Sequence, residues 1–192
     1  MKRKRVGVLI SGRGSNMAAL VEAARDPAYP AEIVCVVSNR ADAAGLQLAK
    51  RHGIATHVIN HTDYATREDF DAALNDYLQG KKLDLIACAG FMRIMTPVLL
   101  ERWAGRMINI HPSLLPLYKG THTHERALAD GVKVHGCSVH YVTVELDGGP
   151  VIARAEVPVL AGDTVETLSA RVLAEEHKLY PEALAIVARQ LT

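Results

Sequence analysis

Short apolar runs alternate along this chain with stretches whose apolar residues recur at helical spacing. The runs that predict strands are Arg5–Ile10, Glu32–Ser38, Thr56–Ile59, Leu83–Ala89 and Arg106–Ile110. Several of them are apolar almost throughout, which is typical of parallel strands that are covered on both faces. Strands that alternate with helices predict an α/β, doubly wound fold, in which a mostly parallel sheet has helices on both faces.

Stretches between these runs predict helices. Several of them have apolar residues on one helical face, and Gly53 is typical of a residue that ends a helix. The expected helices are Met17–Ala24, Asp42–His52, Thr66–Gln79, Thr96–Trp103, His122–Ala129 and Asp163–Gln190. Asp42 is expected to be an N-cap, and Asp163 forms the pattern of a capping box with Glu166. Pro181 predicts a break or kink in the last helix, since proline has no backbone N–H to donate.

Two further runs, Lys133–Thr143 and Pro150–Val157, predict a hairpin. A hairpin that follows the doubly wound pattern gives the sheet an antiparallel edge near its C-terminal part. The length of 192 residues predicts a single domain over 1–192. The Leu115–Pro116 peptide bond is a candidate for the cis form.

The charge balance excludes some classes of function. The formal net charge is +1, so no overall field attracts nucleic acid or a membrane surface. The basic run Lys2–Arg5 is expected to be a solvated tail, since the apolar run after it is too short for a signal peptide. No stretch reaches the roughly 20 apolar residues that are needed to span a bilayer.

The cysteines and histidines do not complete a metal-binding pattern. Cys35, Cys88 and Cys137 lack CxxC spacing, which favours reduced, buried thiols in a cytoplasmic protein. Among the nine histidines, His122 and His124 form the closest pair, but no further ligand completes a site. We therefore expect no bound metal.

The first predicted strand is followed by the glycine-rich segment 11–16 and then by a helix. This order directs free backbone N–H groups and the positive end of a helix toward an anion. Met17 stands where the third glycine of a dinucleotide fingerprint would lie, and no Walker A lysine follows. The segment therefore favours a single phosphomonoester, with a simple tight turn as the alternative.

The segment 107–116, MINIHPSLLP, places two polar side chains at the end of a buried strand. Asn109 and His111 are two residues apart, so they point to the same face of the strand. Pro112 ends the strand because it cannot donate to the sheet. Polar groups at the carboxyl end of a strand are typical of ligand sites in α/β sheets. The alternative is a polar strand exit, with His111 capping a loop.

Two other segments leave a functional and a structural interpretation open. The segment 90–95 could line a flat pocket for an aromatic ligand, or it could pack under the next helix. Asp147 precedes two glycines, a pattern that usually means a turn. The residues alone favour that turn; the alternative is a carboxylate directed at His111.

An anion site, a carboxamide, an imidazole and a carboxylate in one crevice would suit direct acyl transfer between two bound substrates. No serine or cysteine lies in a nucleophile-elbow motif, so a covalent intermediate is not indicated. Asn109 and a protonated His111 could stabilise the oxyanion that forms when an amine attacks a carbonyl carbon. Asp147 could hold the imidazole in its charged form and help to remove the proton of the amine.

Several segments resemble one known family. They are SGRGSN at 11–16, AGFMRIM at 89–95, NIHPSLLP at 109–116, HTH at 122–124 and ELDGGPVI at 145–152. EEHKLYP at 175–181 is similar to that family's closing helix. In this order, and over nearly the whole chain, they resemble the folate-dependent phosphoribosylglycinamide formyltransferase family, which has a Rossmann-like fold.

The resemblance implies transfer of a formyl group from the co-substrate 10-formyltetrahydrofolate to the amine of glycinamide ribonucleotide, a step of de novo purine synthesis. It aligns Asn109, His111 and Asp147 with the family's catalytic triad. It also implies two binding sets. Phosphate and ribose would contact Gly14, Ser15, Asn16 and Glu176, and folate would contact Arg67, Met92, Arg93, Ile94, Met95, Asn109, Thr143, Val144, Glu145, Leu146 and Asp147.

These implied roles replace what residue type alone predicts for Arg67 and Glu176, which would otherwise be solvated. They divide the domain into a phosphate-binding half over 1–100 and a folate-binding, catalytic half over 101–192. The expected partners are the two small-molecule substrates, without nucleic acid or membrane. A monomer and a homodimer both stay open.

Three positions depart from the family's pattern. Leu117 and Lys119 replace lysine and proline, and Leu173 stands where a polar residue can help to bind phosphate. One alternative function is that of another 10-formyltetrahydrofolate-using enzyme, the hydrolase or the tRNA formyltransferase, both of which carry an extra domain that we do not expect in 192 residues. The other alternative is a non-catalytic nucleotide- or folate-binding protein.

Overall fold

The structure is a computed structural model that describes residues 2–192. Its strands are β1 (Lys4–Ile10), β2 (Ala31–Ser38), β3 (Ala55–Val58), β4 (Leu85–Cys88), β5 (Met107–His111), β6 (Val134–Tyr141) and β7 (Val151–Pro158). Its α-helices are α1 (Ser15–Ala23), α2 (Ala44–Arg51), α3 (Arg67–Gly80), α4 (Pro97–Leu100), α5 (Thr123–Ala129) and α6 (Val165–Gln190). The predicted helix over 96–103 is therefore confined to one turn.

The seven strands form one sheet in the order β3-β2-β1-β4-β5-β6-β7. The first five in sequence pair in parallel, whereas β6 and β7 add in antiparallel fashion at one edge. This confirms the predicted doubly wound, mostly parallel sheet with an antiparallel edge. The strand order reverses between β1 and β4, and the carboxyl ends of strands at such a point form a crevice for ligands.

Side chains of β1 point alternately to the two faces of the sheet, so this strand contributes to two core layers. Val6, Val8 and Ile10 pack with apolar residues of α1, α2 and α6. Leu9 packs on the other face with residues of α3 and of the α4 segment. The helices therefore cover both faces, as the alternating pattern predicts. One sheet runs through both predicted halves of the domain.

Both aspartates expected to cap helices have other partners. Asp42 pairs with Arg40 at 2.9 Å, and Ala43 is the N-cap of α2 without a side-chain bond. Asp163 pairs with Arg171 at 2.8 Å, while Thr164 is the N-cap of α6. The guanidinium of Arg171 holds the pKa of Asp163 below its usual range. The two predictions are wrong because each helix begins one residue later than the pattern implies, so the aspartate lies just before the N-cap position.

The predicted break at Pro181 is wrong, because α6 continues through it to Gln190. The hydroxyl of Tyr29 donates to the Pro181 carbonyl at 2.6 Å, which ties this turn of α6 to the segment after α1. Tyr180 and Leu184, on either side of the proline, are fully buried. Packing against the sheet therefore holds the helix together where one backbone hydrogen bond is missing.

The basic N-terminal run is not a solvated tail, contrary to the sequence-based expectation. The Arg3 guanidinium donates to the backbone carbonyls of Ala24, Tyr29 and Ala31. Arg5 lies within β1 and donates to carbonyls at the end of α3. The arginines satisfy carbonyl groups that the neighbouring helix and loop leave without a partner.

The candidate cis proline bond and the predicted buried, free thiols are both confirmed. The Leu115–Pro116 bond is cis, and the three cysteines are buried and free. Within residues 2–192, no helix has both the length and the apolar character needed to cross a membrane. Over the same residues, no group of three or more histidine, cysteine or acidic side chains could hold a metal ion.

Tyr180 fixes α6 to the centre of the sheet. Its side chain is fully buried, and its hydroxyl donates to the Cys88 carbonyl at 2.7 Å and lies 3.3 Å from the Ile108 carbonyl. These carbonyls belong to β4 and β5, the strands whose carboxyl ends lie beside the crevice. A single phenol therefore links three elements that position the site.

We expect Tyr180→Phe to lower the free energy of unfolding by about 1–3 kcal/mol, the usual cost of leaving a buried hydrogen-bonding group without its partner. Urea denaturation measures this difference, with Tyr77→Phe on the partly exposed side of α3 as the matched control. A loss no larger than that of the control would show that the phenol does not hold α6 on the sheet.

Candidate active site

A cavity of about 710 Å³ opens at the carboxyl ends of β4 and β5, within the range of about 300–1,000 Å³ that is typical of small-molecule sites. The segment that follows each strand supplies part of its wall. Asn16 and Glu176 contribute from the side of α1 and α6, and the loop between β6 and β7 closes the opposite side. Both predicted halves of the domain therefore line one cavity.

The tip of β5 presents Asn109 and His111 to this cavity on the same face, as their spacing predicts. In the antiparallel ladder Asn109 lies opposite His140 of β6, and His111 lies opposite Ser138. Side chains of directly opposite residues on one face of a sheet are in contact. The strand pairing therefore adds a second histidine to the pair that sequence spacing identifies.

Asp147 is both a turn residue and a carboxylate directed at His111, so the two interpretations of this loop hold together. Its Oδ2 lies 3.5 Å from Nδ1 of His111, and its Oδ1 lies 3.7 Å from Nε2 of His140. Its backbone has a φ of 51°, which is uncommon outside glycine. The following glycines are needed: a Cβ atom on Gly149 would lie 1.8 Å from the Tyr141 carbonyl oxygen.

The two ring nitrogens of His111 face oxygen atoms. Nε2 lies 2.8 Å from the Tyr118 carbonyl, a distance at which its N–H donates, and Nδ1 faces the Asp147 carboxylate. An imidazolium would therefore have an acceptor for each of its N–H groups. The 3.5 Å separation from Asp147 is longer than a charge-assisted hydrogen bond of about 2.7–2.9 Å, so Nδ1 is not tightly engaged.

His140 is a site residue that the sequence did not identify. Its Nδ1 donates to the Tyr141 carbonyl at 2.9 Å, which leaves Nε2 to accept from the Asn109 amide at 3.2 Å. Burial lowers the pKa of His140, and the charge of Asp147 opposes this effect. Because the neutral imidazole offers an acceptor at Nε2, the NH2 group of the Asn109 amide faces the ring. The β5–β6 register, which pairs His140 with Asn109, would have identified this residue, but sequence spacing does not provide that register.

Asn16 and Glu176 lie together at the α1–α6 side of the cavity. The Asn16 amide donates to Glu176 at 3.2 Å, while its Oδ1 atom is buried without a protein partner. Burial raises the pKa of Glu176 to about 7, although the hydrogen bond from Asn16 acts in the opposite direction. The solvated position that residue type alone indicates for Glu176 is therefore wrong. A buried carboxyl group and an unpaired amide oxygen that line a cavity are suited to hydroxyl or amine donors of a ligand.

The glycine-rich segment turns sharply into α1. Gly14 is the N-cap with a φ of 73°, and a Cβ atom there would lie 2.9 Å from the Cα atom of Gly45. Gly14 and Ser15 precede Asn16 at the start of α1 but do not line the cavity themselves. Leu173 of α6 does not line the cavity either, and its apolar side chain cannot bind phosphate.

Large apolar side chains surround the mouth of the cavity. The segment Gly90–Met95, which we call the lip, supplies Met92 and Ile94, and the β6–β7 loop supplies Val144 and Leu146. These four residues are 56–72% exposed and line one cavity, and apolar surface that is clustered in this way is typical of a ligand or partner site. Arg93, Met95, Thr143 and Glu145 also line the cavity, whereas Arg67 is exposed on α3 and does not.

Comparison with known proteins identifies the family. Residues 4–184 match the family model for formyl transferase. The chain is 50% identical over 187 residues to the Bos taurus trifunctional purine biosynthetic protein adenosine-3, covering 97% of this chain but 18% of that relative. It is 48% identical over 174 residues to the phosphoribosylglycinamide formyltransferase of Escherichia coli (strain K12), covering 91% of this chain and 82% of that relative.

A solved structure gives the same result. The crystal structure of phosphoribosylglycinamide formyltransferase from Brucella melitensis has a TM-score of 0.94 and 51% sequence identity, covering all of this chain and 98% of that one. The resemblance seen in the sequence motifs is confirmed. The chain belongs to the formyl transferase family.

Proposed function

We propose that this protein transfers the formyl group of 10-formyltetrahydrofolate to the amine of N1-(5-phospho-D-ribosyl)glycinamide. The observation that carries the proposal is that Asn109, His111 and Asp147 meet at one wall of a cavity whose other end holds Asn16 and Glu176. The products are the N-formyl ribonucleotide and tetrahydrofolate. This reaction belongs to purine biosynthesis, the process for which the trifunctional relative is named.

The folate co-substrate fits the apolar end of the cavity. A flat pteridine would lie between the lip and the β6–β7 loop, where Met92, Ile94, Val144 and Leu146 offer exposed apolar surface. Burial of this surface under an aromatic ring would supply binding free energy of about 25 cal/mol per Å². Arg93 and Arg67 are the cations that we assign to the acidic end of the molecule, and Arg67 would have to reach it from α3.

The ribonucleotide would occupy the α1 end. Backbone N–H groups at the start of α1, in Gly14, Ser15 and Asn16, would bind the phosphate together with the positive end of the helix. Glu176 would accept hydrogen bonds from the ribose hydroxyls. With Leu173 in place of a polar residue, we expect the backbone groups to carry most of the phosphate contacts.

The arrangement supports direct transfer. The amine attacks the formyl carbon, a C–N bond forms, and the formyl oxygen becomes an anion. Asn109 and a protonated His111 stabilise this anion, the imidazolium through the Nδ1–H that Asp147 engages only loosely at 3.5 Å. Asn109 uses one N–H on His140 and keeps the other for this oxygen. Asp147 accepts the amine proton directly or through water, and N10 of the folate takes up a proton as its bond to the formyl carbon breaks.

The reaction requires no metal, and we place it in the cytoplasm. The support for this location is the set of three buried, free thiols, which suits a reducing compartment. Both substrates are small molecules, so the proposed partners include neither nucleic acid nor a membrane.

The direct test is to mix the protein with a 10-formyl folate analogue and glycinamide ribonucleotide and to follow release of the deformylated folate. A transferase releases it only when both substrates are present. Equal release without the ribonucleotide would show a hydrolase, and folate binding without release would show a non-catalytic binding protein.

We expect His111→Ala to lower kcat by about 10²–10⁴-fold, because it removes an oxyanion donor and a proton-carrying group. Folate binding, measured by fluorescence titration, should change little, since the apolar wall stays intact. His52→Ala, at the exposed end of α2, is the matched control. Turnover within a few fold of that control would refute the role assigned to His111.

We also expect the KM for the ribonucleotide to fall as pH rises through about 7, the raised pKa of Glu176. Below this pH the carboxyl group is protonated, and above it the carboxylate is the stronger acceptor for ribose hydroxyls. Glu176→Gln should raise KM about tenfold above pH 7 and remove this dependence. The phosphate and amine of the substrate titrate equally in both proteins, so a profile unchanged by the substitution would contradict the assignment.

A further inference from the structure

Asp71 is a buried acid on α3 that the proposed mechanism does not use. Its side chain is 1% exposed, and its Oδ2 accepts two hydrogen bonds from one residue. The backbone N–H of Thr96 donates to it at 2.6 Å, and the Thr96 hydroxyl donates at 2.8 Å. A buried carboxylate is costly unless its hydrogen bonds compensate for lost hydration, so this contact fixes its partner firmly.

Thr96 is the residue immediately after the lip, Gly90–Met95, and it is the N-cap of α4. The other end of the lip is also held. The Met92 N–H donates to the Ser11 hydroxyl at 2.8 Å, and the Ser11 N–H donates to the Gly90 carbonyl at 3.1 Å. The lip is therefore a short irregular segment with one fixed point beside β1 and another on α3.

The residue next to Asp71 supports the middle of the lip from the same helix. The Phe70 ring is buried, and its centroid lies 6.5 Å from that of the Phe91 ring. The Arg93 guanidinium carbon lies 4.7 Å from the centroid of the Phe70 ring. Phe91 and Arg93 line the cavity, whereas Asp71 and Phe70 do not. Helix α3 thus supports this part of the cavity wall through the lip.

We propose that Asp71 is a positioning residue that sets the folate affinity of this enzyme by holding the lip through Thr96. The inference rests on the proposed function, because it takes the lip as the wall against which the pteridine binds. Without the carboxylate, the Thr96 N–H and hydroxyl lose their acceptor and the C-terminal end of the lip is released. The substrates' reacting atoms are at β5, so the chemical step is affected less than folate binding.

The test compares Asp71→Ala with Asp76→Ala, an exposed acid one and a half turns further along α3. We expect Asp71→Ala to raise both the dissociation constant of a 10-formyl folate analogue and the KM for the co-substrate by about 10- to 100-fold. The KM for the ribonucleotide and kcat should change less than threefold. Asp71→Asn retains an acceptor and should restore most of the affinity.

Thr96→Val removes only the hydroxyl bond and is the second variant in case Asp71→Ala does not fold. We expect it to weaken folate binding several-fold without a change in kcat. If both variants bound folate within twofold of the Asp76→Ala control, the inference would be overturned. The proposed function would still stand in that case, provided that the wild-type protein turned over both substrates. Failure of the wild-type protein to bind the analogue would overturn both.

Discussion

One carboxylate, that of Asp147, connects the parts of the proposed catalytic group. Its oxygen atoms face His111 and His140, and Oδ2 also accepts the Gly120 N–H at 2.8 Å. Only 10% of this side chain is exposed, so its charge acts through a medium of lower effective dielectric constant than water. Removal of the carboxylate would leave an imidazolium at position 111 without its anionic partner.

The backbone conformation around Asp147 places its carboxylate beside His111 and His140. The β6–β7 loop folds back because glycines at 148 and 149 allow close approach, and the Lys119–Glu145 ion pair at 2.9 Å joins it to the loop after β5. Burial lowers the pKa of the neighbouring His140 and brings that of His135 to about 4, which favours the neutral forms of both imidazoles.

The spacing of residues along the chain correctly predicted features that depend only on sequence neighbours. It failed for features that depend on contacts between distant parts of the chain. The i, i+2 relation of Asn109 and His111 follows from strand geometry alone. His140 depends on the β5–β6 register, and the burial of Glu176 depends on how α6 packs on α1, which no local pattern contains. Asp163 satisfies a capping pattern, yet Arg171, eight residues away, binds it instead.

The proposed formyl transfer between Asn109, His111 and Asp147 can be tested with a crystal structure that contains a non-reactive 10-formyl folate analogue and glycinamide ribonucleotide. We predict that the formyl oxygen lies about 2.7–3.1 Å from Asn109 Nδ2 and a His111 nitrogen. The amine should lie within reach of Asp147. A formyl group bound away from the tip of β5, with these side chains unchanged, would contradict the catalytic roles proposed for them.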